Sequence, residues 1–265
     1  MTDKLQVAVI LAAGMGERLK EAGKTIPKGF LRLGKRAIIE ESIDKLLRAG
    51  IKRIIIVTGH HFEFYERLKT LYPGTIETVH NSQFFCSGSM YSLFCAKDRL
   101  KEDFLLLESD IVYEERAIAE ILQFKQENGV LLSGPTFSGD EVYVAASGTQ
   151  IVGLSKFPDD IGSHIVGELI GITKVSQSLF KEMITDAEIR FKNTLQVAYE
   201  TDCLSAVSSK YPLYYHLVPD IVWSEIDTPA DLLKTRNSVY PAIIEQAQVK
   251  EIYTNQVLKP LLSET

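Results

Sequence analysis

Residues 7–18 read VAVILAAGMGER, an apolar run that ends in a turn containing two glycines. An uninterrupted apolar run of this length is typical of a strand that is buried on both faces of a parallel sheet. The run is far too short to cross a bilayer, and the charged residues Asp3 and Lys4 precede it. The stretch therefore predicts a first strand at the centre of a sheet, followed by a glycine loop.

The segments after this strand alternate between helical and strand patterns. Apolar residues recur at helical spacing over residues 38–47 until Gly50, which suits a C-terminal helix cap. Strands are predicted at 54–57 and 104–107, and a helix around 90–97 precedes the second of them. A strand, a crossover helix and a parallel strand form a βαβ unit. The predicted fold class is therefore α/β, with a doubly wound, mostly parallel, Rossmann-like sheet.

Two later segments depart from this pattern. Short strand patterns separated by Gly-rich turns predict a small antiparallel insertion at about 130–175, which could close over a substrate. A helical pattern runs from Pro229 toward Glu251. We therefore divide the chain into one domain at 1–235, which includes the insertion, and a C-terminal helix and tail at 236–265, which could be a linker.

The composition restricts the function classes. Apolar residues make up 45% of the chain and charged residues 24%, as in ordinary globular proteins. The 29 Lys and Arg against 35 Asp and Glu give a formal net charge of −6, which argues against a general nucleic-acid binder. Cys86, Cys95 and Cys203 form no CxxC pair, which argues against disulfide and zinc frameworks. A reduced cytoplasmic location without a membrane segment is predicted.

The glycine loop predicts a phosphate site. Its glycines let the backbone pass close to a phosphate chain while amides point at it, although a plain tight turn is the alternative. Dinucleotide binding is disfavoured because Leu19 replaces the third glycine of that motif and Gly59, not an acidic residue, follows the second strand. The GKT string at 23–25 is no Walker A site, because Arg18 stands where its first glycine is required.

Two cations accompany the loop. Arg18 ends it, and Lys28 lies in the string IPKGFL at 26–31, so both stand on one glycine-bounded segment beside the expected crevice. Each could be a solvated surface charge, but together they predict a clamp on a triphosphate. The residues expected at the nucleotide are Leu11, Ala12, Ala13, Gly14, Met15, Gly16, Glu17 and Lys28.

Carboxylates that could bind a metal follow two strand patterns. Asp110 comes just after the strand at 104–107, at the sheet edge where open α/β sheets bind ligands. Strand alternation in the string at 222–228 places Glu225 and Asp227 on the same face. Mg²⁺ takes one or two carboxylates and keeps several waters, so Asp110 and Asp227 would suffice, with Glu225 behind them. Alternatively, Asp227 or Thr228 would cap the last helix.

In these strings the sequence resembles the sugar-phosphate nucleotidyltransferase superfamily. The superfamily's opening pattern, L-A-A-G-x-G-x-R followed by P-K, is matched from Leu11 to Lys28, and both aspartates match its metal positions. The string W-x-E-I-D-T at 223–228 is characteristic of its cytidylyltransferase-like branch. The resemblance covers about residues 7–233 and implies the nucleotidyltransferase fold and Mg²⁺-dependent transfer of a nucleotide.

The string GSMYSL at 88–93 narrows the resemblance. It is similar to the signature of 2-aminoethylphosphonate cytidylyltransferases, whereas bacterial phosphocholine cytidylyltransferases carry an asparagine pair where Gly88 and Ser89 stand. The resemblance places Gly88, Ser89 and Met90 at the cytosine. Taken alone, the string is also a helix entry that Ser87 or Ser89 would cap.

The acceptor side is predicted from chemistry and from the resemblance. A primary ammonium is held by carboxylates, whereas a quaternary one is held by an aromatic cage. Glu168, Glu200 and Asp202 are the candidate carboxylates, each of which could instead be a surface or capping acid. Lys156 matches a lysine that relatives direct toward the acceptor or the α-phosphate. The five histidines share no spacing and are interpreted as structural.

The predicted reaction transfers CMP from CTP to 2-aminoethylphosphonate and releases pyrophosphate, by in-line attack of a phosphonate oxygen. The alternatives are a phosphocholine or sugar-phosphate acceptor and, outside catalysis, a silent nucleotide-binding sensor. The resemblance also allows a fused or associated aminotransferase, and the sequence predicts no oligomeric state. The predicted catalytic residues are Arg18, Lys28, Asp110, Lys156 and Asp227.

Overall fold

The computed structural model describes residues 5–253, without the side chains of Ala22 and of residues 250–253. The strands are β1 (Val7–Ala12), β2 (Arg53–Thr58), β3 (Ile76–His80), β4 (Phe104–Glu108), β5 (Ile111–Tyr113), β6 (Gly129–Ser133), β7 (Tyr143–Ser147), β8 (Gln150–Ser155), β9 (Ile165–Val175), β10 (Tyr214–Leu217) and β11 (Trp223–Glu225). The α-helices are α1 (Glu21–Thr25), α2 (Ile38–Ala49), α3 (Phe62–Leu71), α4 (Ser89–Cys95), α5 (Arg116–Gln123), α6 (Pro158–Ile161), α7 (Gln177–Arg190), α8 (Ser205–Ser208), α9 (Pro229–Lys234) and α10 (Tyr240–Tyr253).

A nine-stranded sheet in the order β3-β2-β1-β4-β9-β6-β10-β8-β7 forms the centre of the molecule. Strand β1 pairs in parallel with β2 and with β4, as the βαβ pattern predicts. Strand β9 runs antiparallel to both of its neighbours, β4 and β6, and therefore makes the sheet mixed. The predicted doubly wound α/β fold with antiparallel strands is confirmed.

The apolar run of β1 is uninterrupted because helices cover both faces of the sheet. Val7 and Val9 point into a core that α4 and α7 complete, whereas Ala8 and Ile10 point into a core that α2, α3 and α5 complete. Every residue of β1 is buried. Such a strand must be apolar at every position, since neither face meets water.

The antiparallel strands near residues 130–175 extend the main sheet at one edge. Strands β7 and β8 form a hairpin, and the long strand β9 lies between β4 and β6 and also pairs with β7. A second, two-stranded sheet joins β5 to β11 in antiparallel orientation. This small sheet places the end of β11 directly beside the residues that follow β4.

The helical prediction at the C-terminal end also corresponds to the structure. Helix α9 continues through a π-helical turn, Thr235–Val239, into α10, so the predicted boundary at residue 235 lies within a helical run. The predicted tail after residue 253 lies outside the described residues. Within residues 5–253, no helix combines the length and apolar character that a membrane crossing requires.

Candidate functional site

Two adjoining cavities open at the carboxyl ends of β1 and β4. The first cavity, of about 400 Å³, is lined by residues 11–18, Lys28 and Gly88 among others. The second, of about 430 Å³, is lined by Lys156, Glu168 and their neighbours. Both cavities include Arg18, Glu108 and Glu200 in their walls, so they form one continuous cleft. A ligand with two parts could therefore span them.

Short helical turns hold the segment that carries the predicted cations. Gly16 has a left-handed φ of 65° and leads into a 3-10 helix, Glu17–Leu19. Pro27 precedes a second 3-10 helix, Lys28–Phe30. The Lys28 side chain passes over Gly16, where a Cβ would lie 3.6 Å from Lys28 Cγ. The glycine-bounded segment that carries both cations is therefore built largely of helical turns.

Lys28 lies between the two predicted metal ligands. Its Nζ is 2.7 Å from Oδ2 of Asp110 and also contacts Oδ1 of Asp227. Burial lowers the pKa of Lys28, but the two carboxylates outweigh burial and raise this pKa above its ordinary value. Thr228 caps α9 with its side chain, so the alternative cap role does not fall to Asp227. The structure thus brings residues 28, 110 and 227 together.

Arg18 and Lys156 meet at a residue that the sequence analysis did not select. Arg18 Nη2 lies 2.7 Å from Asp227 Oδ2, and its Nη1 lies 2.5 Å from Asp140 Oδ2. Lys156 Nζ lies 2.6 Å from the other oxygen of Asp140. Asp140 stands in a Ser-Gly-Asp string that the sequence analysis treated only as a turn. The Asp140 carboxylate forms ion pairs with both Arg18 and Lys156. An anionic ligand that binds these two cations would have to displace this carboxylate.

A cluster of three acids lies beside this array. Oxygen atoms of Glu108, Asp110 and Glu225 lie within 4.8 Å of one another. Pairing of β5 with β11 sets Glu225 opposite Ile111, and the N–H of Ile226 donates to the Asp110 carbonyl at 3.1 Å. The metal ligands predicted from the sequence are Asp110 and Asp227, with Glu225 behind them. In the structure, Glu225 and Glu108 adjoin Asp110, whereas Asp227 faces the cations.

The electrostatics of this cluster fit a divalent cation. Burial, together with the charges of Asp110 and Glu108, raises the pKa of Glu225. Burial, together with Glu200 and Asp110, raises the pKa of Glu108, although the Tyr199 hydroxyl donates to it at 2.6 Å. Lys28 contacts Asp110, but the pKa values of Glu108 and Glu225 stay raised, so these two carboxylates lack sufficient positive charge. Carboxylate oxygen atoms are the ligands that hard cations such as Mg²⁺ prefer.

We expect the substitution Glu225→Gln to stabilise the metal-free protein at neutral pH. In the folded chain Glu225 stays protonated up to a pH well above 4.5, its ordinary pKa. In the unfolded chain it loses this proton near pH 4.5. Folding stability therefore falls as the pH rises above this value, and glutamine removes the effect. Urea unfolding in EDTA should show a small gain at pH 5 that grows to about 1–3 kcal/mol at pH 7. An equal gain at both pH values would contradict the assignment.

The three predicted acceptor carboxylates differ in position. Glu168 lines the second cavity, where the Thr136 N–H donates to both of its oxygen atoms at 3.0 and 3.1 Å. Glu200 lies where the two cavities meet, and burial raises its pKa. Asp202 lines neither cavity, and its carboxylate accepts from the Ala198 N–H at 2.8 Å. The structure brings two of the three to the cleft.

The start of α4 joins the two cavities through Ser89. The expectation that Ser87 or Ser89 caps this helix is wrong, because Gly88 is the N-cap and no side chain caps it. Ser89 Oγ accepts from the Tyr199 N–H at 2.9 Å and donates to Glu200 at 3.2 Å. The hydroxyl therefore bonds to the neighbouring loop and helps to position Glu200 where the two cavities meet.

Gly88 and Met90 occupy different environments. Gly88 lines the first cavity and packs so closely on the loop before Tyr199 that a Cβ would lie 2.3 Å from the Val197 carbonyl oxygen. Met90 is fully buried in the core and lines neither cavity of the cleft. Of the three residues predicted at the cytosine, Gly88 and Ser89 therefore reach the cleft, whereas Met90 supports the helix from behind.

The chain is similar to curated cytidylyltransferases over most of its length. It is 27% identical over 248 residues to the CTP:phosphoglutamine cytidylyltransferase of Campylobacter jejuni, covering 85% of this chain and 97% of the relative. It is 26% identical over 228 residues to the 2-aminoethylphosphonate cytidylyltransferase of Lancefieldella rimae, covering 85% and 89%. Both relatives are named as cytidylyltransferases.

Solved structures support the fold. The inositol-1-phosphate CTP transferase of T. maritima superposes with a TM-score of 0.78 at 18% identity, covering 92% of this chain and 97% of that one. The CTP:phosphocholine cytidylyltransferase of Streptococcus pneumoniae gives 0.69 at 20% identity, covering 88% and 98%. A family model described as the MobA-like NTP transferase domain matches residues 8–207, and this chain therefore belongs to that family of NTP transferases.

Proposed function

We propose that this protein is a Mg²⁺-dependent cytidylyltransferase that transfers CMP from CTP to a small phosphonate or phosphate carrying an amine. The specific acceptor that we propose is 2-aminoethylphosphonate, and pyrophosphate is the second product. The observation that carries the proposal is the division of the cleft. The glycine loop and Lys28 line the first cavity, whereas Lys156 and eight carboxylates line the second.

The first cavity fits the triphosphate of a nucleotide. The loop at residues 11–18 lines it together with Lys28, whose raised pKa keeps the ammonium charged. Arg18 stands at the junction with the second cavity. In this role Lys28 and Arg18 hold the charge that grows on the leaving pyrophosphate, which preorganised cations stabilise most strongly in a dry site. The similarity to CTP-dependent relatives favours cytosine as the base.

The second cavity fits a primary ammonium attached to an anion. Its carboxylates outnumber its cations, which are Arg18, Lys156 and Lys234. Among the described residues that line it, Trp223 is the one tryptophan, tyrosine or phenylalanine, so no aromatic cage for a quaternary ammonium surrounds it. Lys156 would attract the phosphonate, and Glu200 with Glu168 would accept hydrogen bonds from the amine. This arrangement favours 2-aminoethylphosphonate over phosphocholine.

The reaction would need no general base, because the phosphonate oxygen is already anionic near neutral pH. Asp110 belongs both to the pair with Asp227 that the sequence predicts and to the observed cluster with Glu108 and Glu225, so the metal would depend most on Asp110. When bound there, Mg²⁺ would neutralise phosphate charge. The protein itself contributes mainly alignment of the two substrates in the joined cavities.

A panel of acceptors separates this proposal from its alternatives. Pyrophosphate release from CTP would be measured with 2-aminoethylphosphonate, 3-aminopropylphosphonate, phosphoethanolamine, phosphocholine, inositol 1-phosphate and glucose 1-phosphate. We expect the highest kcat/KM for 2-aminoethylphosphonate, and a loss of about tenfold or more for phosphocholine, whose ammonium donates no hydrogen bond. Preference for phosphocholine or a sugar phosphate would contradict the acceptor, and tight CTP binding without any turnover would indicate a sensor.

The predictions of a reduced cytoplasmic setting and of an associated aminotransferase rest on the sequence and its resemblance alone. A pull-down of the full chain with a candidate aminotransferase would test the predicted association.

A further inference from the structure

A third cavity, of about 420 Å³, lies away from the cleft, between α2, α5 and α10. None of its lining residues lines the first or the second cavity. One wall is apolar and comes from α10, with the buried Ile243, the partly exposed Ile244 and Ala247. The opposite wall is charged and comes from α2 and the start of α5. The third cavity therefore has an apolar side and a polar side.

The acids of the charged wall already have partners. Arg36 contacts Asp44, and Arg48 lies 2.8 Å from Glu115. Two further pairs complete the wall: Arg116 lies 2.9 Å from Glu114, and the Tyr240 hydroxyl donates to Glu41 at 2.7 Å. The carboxylates of the cavity are thus engaged by residues other than Lys45.

Lys45 is the exception in this wall. Lys45 is 8% exposed, and among the side chains that the structure describes no carboxylate lies within 4.0 Å of its Nζ. The ammonium donates to the Tyr113 carbonyl at 2.7 Å and lies 4.6 Å from the centre of the Tyr113 ring. An ammonium has three hydrogen atoms to donate, and the carbonyl takes one of them. A buried ammonium with no carboxylate in direct contact is costly, because Glu41 and Glu115 act on it only from a distance, and an entering anion would relieve that cost.

We propose that the third cavity binds a small organic anion, with its charged head at Lys45 Nζ and its short apolar body against Ile243 and Ile244. The head is a carboxylate or a phosphate, because both accept hydrogen bonds from an ammonium. This site does not depend on the proposed function, since the third cavity shares no residue with the cleft.

The protonation of Lys45 offers a readout specific to this site. Burial lowers the pKa of Lys45 to about 8; Glu41 and Glu115 act in the opposite direction, and Arg48 lowers the pKa further. At pH 8 about half of the Lys45 side chains are therefore neutral. An anion at Nζ favours the charged form and raises the pKa of Lys45, so binding at this pH is coupled to proton uptake.

Calorimetric titration of the full chain at pH 8 tests the proposal, with hexanoate, hexyl phosphate and neutral 1-hexanol as probes. We expect at least one anion to bind, with uptake of up to about half a proton per protein chain. Proton uptake is detected as a difference in the measured binding enthalpy between two buffers whose ionisation enthalpies differ. The anion that binds more tightly identifies the head group. No binding by either anion, or equal binding by 1-hexanol, would overturn the proposal.

Two substitutions keep the test specific to the cavity. Lys45→Met should weaken anion binding at least tenfold and abolish proton uptake, whereas Lys97→Met should change neither. Lys97 is a suitable control because it also stacks on a ring, 3.8 Å from the centre of Phe94, but lines no part of the third cavity. Should Lys45→Met misfold, Ile244→Glu would put a competing carboxylate into the cavity, with Ile244→Gln as control. Unchanged binding in folded Lys45→Met or Ile244→Glu would overturn the proposal.

Discussion

Replacing Lys28 with methionine is expected to lower kcat for pyrophosphate release by about 10²–10³-fold, with a smaller change in the KM for CTP. Methionine keeps the length of the side chain but removes the ammonium that contacts Asp110 and Asp227. The loss should fall mainly on kcat because the leaving pyrophosphate gains charge as the bond breaks. Steady-state kinetics with CTP and the preferred acceptor would measure it.

Lys24→Met is the matched control. Lys24 belongs to the same segment of the chain, but its exposed ammonium pairs with Glu21 and lies outside the cleft. This variant should keep kcat within about twofold of the unsubstituted protein, as surface substitutions usually do. Activity of Lys28→Met at the level of Lys24→Met would remove Lys28 from the mechanism.

Replacing Asp110 with asparagine should reduce turnover by about 10³-fold or more, because a bound metal ion supplies several kcal/mol of charge stabilisation. Asp110 adjoins both Glu108 and Glu225, so its loss removes the carboxylate that the cluster shares. We expect Mg²⁺ to raise the melting temperature of the unsubstituted protein, and the same substitution should abolish this increase. Kinetics over a range of Mg²⁺ concentrations, with thermal melts in parallel, would measure both effects.

Asp98→Asn controls for the loss of an exposed carboxylate. Asp98 lies in the short helix Lys97–Arg99, outside the cleft. It should retain both turnover and the thermal response to Mg²⁺. If Asp110→Asn kept that thermal response while losing turnover, Asp110 would act on the substrates without holding the metal.

The parts of the site that were predictable are those encoded in short strings. The glycine loop, Arg18 and Lys28 all lie within the 16 residues that follow β1, and Asp110 comes two residues after a strand whose apolar pattern is unambiguous. The carboxyl ends of parallel strands meet at one edge of the sheet, so the fold class predicts that the glycine loop and Asp110 lie close together. Their contacts therefore needed no knowledge of distant pairing.

Glu108 and Asp140 could not be identified in this way. Glu108 is the last residue of an apolar strand, and it becomes part of an acidic cluster only because β11 pairs with β5 and brings Glu225 beside it. Asp140 belongs to a string whose strongest local signal is a turn, and its partner Arg18 lies far away in the sequence. Long-range strand pairing and side-chain packing determine both contacts, and periodicity carries no information about either.

The close packing of Gly88 on Val197 restricts which residues position 88 can carry. A side chain at position 88 would collide with the backbone carbonyl of Val197 and not with a flexible side chain, so the collision cannot be relieved by a rotamer change. A variant with asparagine at this position would therefore need the loop at 195–199 to lie farther away. Because Tyr199 and Glu200 follow directly on Val197 and Ala198, such a shift would also displace the Glu200 carboxylate in the cleft, so changes at position 88 are expected to require changes in this loop.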